Sequence, residues 1–234
     1  FIKEVVVTRG VAPLAMVRKR CAKNGGGTLG TVLLVHGFGQ NRYAWHLPSR
    51  SFANHLAVLG YDVFNLDLRG HGRSRHFGSK RPRSVAEYVD EDLPSAVEEI
   101  LAVAGDKPLY LVGHSLGGLV SYAAALGLTG AVSGIASIGS PYHFTRGSFS
   151  FGAVAAFVRV VSALDVRPNP ALLLKPVGFG MAMMRRFAES PLYPIPWRGW
   201  HKGGVEPDIL DEHLRLAFDR AGLAEVIDMF EWAN

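Results

Sequence analysis

The amino-acid sequence predicts an α/β protein built on a doubly wound, mostly parallel sheet with a helical cap. Apolar runs rich in Val, Ile, Leu and Phe recur along the chain, and segments with helical periodicity separate them. Short runs that are apolar at every position are typical of strands buried on both faces of a sheet. Their alternation with helices implies parallel units joined by right-handed crossovers. The predicted strands are residues 32–35, 61–66, 109–112 and 135–138.

The other elements of the predicted core follow from periodicity and from helix-start signals. Residues 2–8 and 14–21 alternate like an antiparallel pair at the sheet edge. Pro94 follows closely on acidic residues at 90–92, a pattern that is favourable at the start of a helix. The predicted helices are residues 51–59, 85–103 (with this start signal inside it) and 115–126.

Residues 1–141 are expected to form the core, and residues 142–234 a helical cap over the carboxyl edge of the sheet. The chain is almost wholly apolar from residue 149 to 164, and prolines and methionines are frequent after it. No strand-like run is predicted after residue 138, so the last strands of the core are expected to be absent. Two amphipathic helices, residues 209–221 and 223–232, are predicted to close the chain.

The composition indicates a folded domain without a nucleic-acid partner. The 234 residues suit one large α/β domain, and 48% hydrophobic residues can bury a sizeable core. The formal net charge is +5, but the basic residues lie in small scattered groups and form no stripe with exposed aromatic residues. No apolar run reaches the ~20 residues that span a bilayer. Residues 1–10 lack a signal-peptide pattern, so we expect a soluble, cytoplasmic protein without a transmembrane segment.

Cys21 is the single cysteine, which excludes an internal disulfide and a thiolate metal cluster. Neither a metal site nor an organic cofactor is indicated by the sequence. No feature of the sequence predicts the oligomeric state.

Ser115 is the predicted nucleophile. Residues 111–118 read Leu-Val-Gly-His-Ser-Leu-Gly-Gly, so a Gly-x-Ser-x-Gly motif follows an apolar strand and opens a helix. This strand–turn–helix context is the one that a nucleophile elbow requires. The glycines are needed because bulky side chains beside the tight turn would collide with the neighbouring strand and helix. Amide dipoles at the helix N-terminus would favour a developing oxyanion.

A second motif, residues 32–39, supplies a candidate oxyanion donor. A buried strand ends in His36 and Gly37, and the next backbone N–H can point into the site. An acyl-transfer oxyanion takes two such donors, and the N–H groups of Phe38 and Leu116 are the natural pair. We interpret His36 as a structural histidine that fixes the loop, and we expect the His114 side chain to point away from Ser115.

A third motif, Asp-Leu-Arg-Gly-His-Gly-Arg-Ser at residues 67–74, follows the strand at 61–66. Asp67 and His71 can be interpreted as a catalytic pair. We favour a structural role, in which the two glycines permit the turn and Asp67 pairs locally with Arg69.

These three motifs, in this order and spacing, resemble those of the α/β-hydrolase superfamily over about residues 32–141. The chain is similar to its lipase- and esterase-like members. It is more loosely similar to the polyhydroxyalkanoate synthase/depolymerase branch, through residues 61–64, 91–97 and 138–141. Synthases of that branch carry a cysteine at the nucleophile position, so Ser115 implies hydrolysis and not polymerisation.

The resemblance also implies a triad in which an acid and then a histidine follow the nucleophile, each after a further strand. His143 follows the last predicted strand, but no acid lies between it and Ser115. His201 lies in a loop rich in Trp, Pro and Gly, and His213 is expected on the solvent side of its helix. We therefore expect the acid and base to lie beyond Asn234, and the chain, which also lacks an initiator Met, to be truncated.

The function expected from this resemblance is hydrolysis of a carboxylic ester through an acyl-enzyme. The Phe, Val, Leu and Met content of the cap favours an apolar acyl group, and hence a small-molecule or lipid-like ester substrate. The same apolar stripe can equally be core packing. Two alternatives stay open: acyl transfer to an alcohol or thiol acceptor, and a non-catalytic capped module that binds a ligand.

Overall fold

The computed structural model describes residues 1–22, 28–140, 171–193 and 200–232. Within these residues a six-stranded sheet has the order β1-β2-β4-β3-β5-β6. Its strands are β1 (Ile2–Val7), β2 (Ala15–Arg20), β3 (Gly30–Val35), β4 (Tyr61–Asp67), β5 (Leu109–His114) and β6 (Gly134–Ile138). The strands from β4 to β6 pair in parallel, whereas β2 pairs antiparallel with both β1 and β4. The predicted mostly parallel sheet with an antiparallel pair at its edge is confirmed.

Helices pack on both faces of the sheet, as expected for a doubly wound fold. Along β3, Leu33 and Val35 lie in the larger core cluster, whereas Val32 and Leu34 lie in a second cluster on the opposite face. This alternation follows from the two-residue period of a strand. The helices of the core are α1 (Phe52–Val58), α2 (Gly72–His76), α3 (Leu93–Ala104) and α4 (Leu116–Ala123). Residues of α1 join the second cluster, and those of α3 and α4 join the larger one.

The helix predicted at residues 85–103 is split into a π-helical turn, Tyr88–Asp92, and then α3. Arg69 binds the carboxylates of this turn, with its Nη2 within 2.6 Å of Glu91 and its Nε within 2.7 Å of Asp92. The predicted local pairing of Asp67 with Arg69 is therefore wrong. Asp67 instead binds Arg42, at 3.0 Å between Oδ2 and Nη1.

Two short strands and three helices follow in the described part after residue 170. They are β7 (Ala171–Leu173), α5 (Lys175–Ala188), α6 (Pro207–Leu216), β8 (Arg220–Gly222) and α7 (Leu223–Trp232). Because β7 and β8 pair antiparallel as a separate sheet, the expectation of no strand after residue 138 is wrong. Three-residue strands are too short to show a two-residue period. The apolar segment at 149–164 lies outside the described residues.

Helix boundaries in this part differ from the predicted ones for local reasons. Helix α6 ends at Leu216, not at residue 221, because residues 220–222 pair with β7. Helix α5 was not predicted, since prolines are frequent around it. Pro176 nevertheless lies in its first turn, where the missing N–H has no helical partner to lose.

The segment between α6 and β8 is hydrogen-bonded to the loop that follows β3. Asn41 donates from its backbone N–H to the Ala217 carbonyl at 3.0 Å, and from Nδ2 to the Leu216 carbonyl at 3.0 Å. Asp219 N–H donates to the Gly39 carbonyl at 2.8 Å. This region is thus held against the carboxyl edge of the sheet. None of the helices in the described residues is long and apolar enough to cross a membrane.

Candidate active site

Ser115 lies on a strained turn between β5 and α4. Its backbone has φ 51° and ψ −119°, and no other non-glycine residue in the described part of the chain has a positive φ. Its N–H donates to the Ile138 carbonyl at 2.9 Å, which ties the turn to the end of β6. Side chains rarely adopt a positive φ unless the surrounding structure enforces it, and such residues cluster at functional sites.

Two glycines beside Ser115 permit this turn by close backbone contact. A Cβ on Gly113 would lie 2.5 Å from the Gly117 carbonyl carbon. A Cβ on Gly117 would lie 2.6 Å from the His36 carbonyl oxygen. Neither position can hold a larger residue without moving backbone, which explains the glycines of the motif. The second contact also brings the start of α4 onto the end of β3.

Phe38 and Leu116, the predicted oxyanion donors, lie on two segments that touch each other. A Cβ on Gly37 would lie 2.9 Å from His114 Nδ1 and 3.2 Å from the His114 carbonyl oxygen. Neither the Phe38 nor the Leu116 N–H donates to another residue in the described ranges. The site therefore presents two unengaged donors on segments that flank Ser115.

Gln40 connects these two segments and was missed by the sequence analysis. Its Oε1 accepts a hydrogen bond from the Gly37 N–H at 3.2 Å and lies 3.2 Å from His114 Nδ1. Because a carbonyl oxygen only accepts, His114 donates from Nδ1 in this arrangement. The His114 ring also packs edge-on against Trp45, with centroids 6.4 Å apart.

His36 is a structural histidine, as predicted. It is fully buried, and its Nε2 accepts from the Leu68 N–H at 3.1 Å while Nδ1 lies 2.9 Å from the Gly37 carbonyl. Burial, and after it the neighbouring His71, lowers the pKa of His36 to about 4. His36 is therefore neutral near pH 7 and links the loop after β3 to the loop after β4.

Asp67 and His71 shape the loop after β4, which confirms the structural interpretation. The Asp67 carboxylate accepts from the backbone N–H groups of Arg42 and Arg73, at 2.7 and 2.8 Å. His71 Nδ1 lies 2.9 Å from the Arg69 carbonyl. No hydrogen bond joins Asp67 to His71 in the described part of the chain, so the structure does not bring them together as a catalytic pair.

Asp219 is a second residue that the sequence analysis missed. Its Oδ2 accepts from the Gly72 N–H and its Oδ1 from Arg75 Nη1, both at 2.8 Å. Burial acts to raise its pKa, but the hydrogen bonds from Gly72 and Arg75 outweigh burial, so the pKa lies below its ordinary value. Asp219 thereby binds the loop after β4 to the segment that follows α6.

A cavity of about 290 Å³, termed the elbow cavity, lies beside His114 and Ile138. Its wall is mostly apolar and draws on the loop after β3 and on α5 and α6. The other lining residues are Gln40, Ala44, Trp45, Met181, Trp200, Leu210, His213, Leu214 and Phe218. A mostly apolar cavity with a few polar groups is typical of a small-molecule site.

The downstream histidines differ in their placement. His213 lines the elbow cavity and contacts the Phe218 ring edge-on, so its predicted position on the solvent side is wrong. Burial, and after it the nearby His114, lowers the pKa of His213. His201 is exposed, and His143 lies outside the described residues. No histidine of the described ranges hydrogen-bonds to Ser115. The same ranges contain no group of three His, Cys, Asp or Glu residues that could hold a metal ion.

Comparison with known proteins connects this geometry to a family. Residues 30–159 match the model of a family described as alpha/beta hydrolase fold. Lipase member K of Mus musculus is 38% identical over 102 residues, which cover 40% of this chain and 26% of the lipase. Epoxide hydrolase 3 of Xenopus tropicalis is 33% identical over 95 residues, which cover 41% of this chain and 23% of that protein. The chain thus spans about a quarter of the length of both relatives.

A solved structure shares the same fold. The thermostable carboxyl esterase from Bacillus coagulans, in complex with glycerol, superposes with a TM-score of 0.66 at 16% sequence identity. The superposition covers 100% of this chain and 73% of the esterase chain.

Proposed function

The chain belongs to the α/β-hydrolase family, and we propose that it is a serine esterase that cleaves a carboxylic ester with an apolar acyl group. The observation that carries this proposal is the positive φ of Ser115 at the junction of β5 and α4. This backbone holds the side chain on a sharp turn at the carboxyl edge of the sheet. A nucleophile elbow needs this arrangement.

The proposed chemistry proceeds through an acyl-enzyme. Ser115 Oγ forms a bond to the ester carbonyl carbon, and the N–H groups of Phe38 and Leu116 stabilise the resulting oxyanion. Collapse of this intermediate breaks the ester C–O bond and releases the alcohol, and water then cleaves the acyl-enzyme. The reaction also needs a base that accepts the Oγ proton and returns it to the leaving alkoxide, which is released as the alcohol. We assign this role to no residue of the described ranges.

The elbow cavity supports an apolar acyl group. Met181, Leu214 and Phe218 are among its apolar lining residues, and it lies against the residue that precedes Ser115. Burial of each methylene group in such a cavity contributes up to ~0.8 kcal/mol. Similarity to a lipase supports the same substrate class.

Hydrolysis of nitrophenyl esters from acetate to decanoate by the full-length protein tests the proposal. Turnover should rise with acyl length, and Ser115→Ala should lower it by about a thousandfold or more while leaving the fold intact. Ser133→Ala is the matched control, because Ser133 is exposed at the other end of β6. Equal turnover by the two variants would refute the proposal. Products formed with a competing alcohol separate hydrolysis from acyl transfer.

A further inference from the structure

A second cavity, of about 820 Å³, is separate from the elbow cavity except for the shared residue Phe218. We term it the cationic cavity, because its charged side chains are mostly basic. They are Arg42, Arg73, Arg75, Lys175, Arg215 and Arg220, with Asp219 as the one carboxylate of this lining. None of these residues belongs to the machinery proposed around Ser115.

Two of the six cations are neutralised by carboxylates. Arg42 pairs with Asp67 at 3.0 Å, and Arg75 pairs with Asp219 at 2.8 Å. The other four cations form no ion pair with any residue of the described ranges. They are Arg73, Lys175, Arg215 and Arg220. Like charges gathered in one concave surface repel each other and create a field that attracts anions.

Arg73 is a cation of this lining without an acidic partner in the described part of the chain. Its Nε is buried and has no hydrogen-bond partner in the described structure. The adjacent Asp67 carboxylate is already engaged by Arg42 and by the Arg73 N–H, which leaves the guanidinium without an acidic partner in this part of the chain.

The cavity also has an apolar wall. Leu173, Pro176, Phe179 and Phe218 contribute to it, and the Arg215 guanidinium lies over the Phe179 ring at 4.8 Å from its centroid. This contact holds the cation beside an apolar surface. The volume is in the range of small-molecule sites, roughly 300–1,000 Å³, and exceeds what a lone inorganic anion would fill.

We propose that the cationic cavity binds a phosphate ester with an apolar portion. Guanidinium groups bind phosphate through paired N–H donors, and four uncompensated cations suit a dianion better than a single carboxylate. Arg73, Lys175 and Arg215 hold the phosphate, and the apolar portion lies against Phe179 and Phe218. This site is additional to the ester site, and its ligand is not required to be the ester substrate.

Titration calorimetry with hexyl phosphate tests this proposal directly. The wild-type protein should bind it saturably, and a Lys175→Gln/Arg215→Gln double variant should bind at least about tenfold more weakly, since charge-assisted hydrogen bonds are lost. Both side chains are exposed, so we expect the variant to fold, and its melting temperature checks this. Arg186→Gln is the matched control, because Arg186 is an exposed residue of the same helix α5 outside the cavity lining.

Further ligands separate the possible sources of the phosphate. Binding of hexyl phosphate without binding to phosphatidic acid vesicles supports a soluble ligand, and cosedimentation with those vesicles but not with phosphatidylcholine vesicles supports a lipid headgroup. Equal affinity of the double variant and the wild type, equal binding of hexanol, or no binding of any phosphate probe would overturn the proposal. None of these readouts uses ester hydrolysis, so they remain independent of the proposed esterase activity.

Discussion

A methyl group on Gly117 would lie 2.6 Å from the carbonyl oxygen of His36. The start of α4 therefore packs on the end of β3 through backbone alone. Leu116 immediately precedes Gly117, and Phe38 lies two residues after His36. The proximity of the two proposed oxyanion donors thus depends on the absence of a side chain at position 117.

Gly117→Ala should destabilise the protein by roughly 1–3 kcal/mol, because overpacking displaces backbone, and should also lower ester turnover. Gly127→Ala is the control. The nearest atom to a Cβ at position 127 would be the Ala124 carbonyl oxygen, at an ordinary van der Waals distance of 3.6 Å. Denaturant unfolding and kcat/KM measure the two effects. Unchanged stability and turnover in Gly117→Ala would show that the backbone contact is not tight.

Gln40→Met should lower kcat and kcat/KM together, because the Gly37 N–H loses its acceptor and Phe38 is no longer held in place. An unsatisfied buried donor costs about 1–3 kcal/mol, and a loss confined to the transition state leaves KM unchanged. Gln40→Glu keeps an acceptor oxygen at the same position and should retain most of the activity. If the Met variant alters KM alone, Gln40 does not position an oxyanion donor.

Burial of His36 should make the protein less stable in mild acid. Its folded-state pKa is about 4 against an ordinary 6.5, so the unfolded chain takes up the proton first and stability falls as pH drops from 6.5 towards 4. Between pH 6.5 and 5 this loss is roughly 2 kcal/mol. His46, whose pKa burial and Lys19 also lower to about 4, adds a loss of the same sign.

Denaturant unfolding at pH 7.5 and 5.0 isolates the contribution of His36. The difference between the two pH values should be smaller in His36→Gln than in wild type, and unchanged in His76→Gln, where the residue is exposed on α2. The same pH dependence in wild type and His36→Gln would contradict this assignment.

The sequence was sufficient to predict elements whose signals are local. The β5–turn–α4 segment around Ser115 and the buried strand before His36 were predictable, because apolar runs and glycines mark them over a few residues. Gln40 and Asp219 were not, since their partners lie far along the chain: Gln40 meets His114 74 positions away, and Asp219 meets Gly72 147 positions away. His213 was wrongly predicted to lie on the solvent side of its helix, because the cavity that it lines is built largely by residues of other segments.

Met181→Trp should shift the ester preference towards shorter acyl chains, because a larger side chain takes up volume in the elbow cavity. Loss of room for two methylenes lowers kcat/KM for decanoate about tenfold relative to acetate, at ~0.8 kcal/mol each. Met184→Trp is the control, since Met184 is an exposed residue of the same helix. A chain-length profile that is identical in both variants would place the acyl group elsewhere.

The most direct test of the account is covalent labelling by a serine-directed phosphonate, followed by intact-mass and peptide analysis. Such a reagent reports on an activated serine without any assumption about the natural ester. In the full-length protein we predict one adduct per chain, located on the peptide that contains Ser115, and no adduct on Ser115→Ala. Failure of the folded full-length protein to react, or equal labelling of its Ser115→Ala variant, would contradict the assignment of Ser115 as the nucleophile.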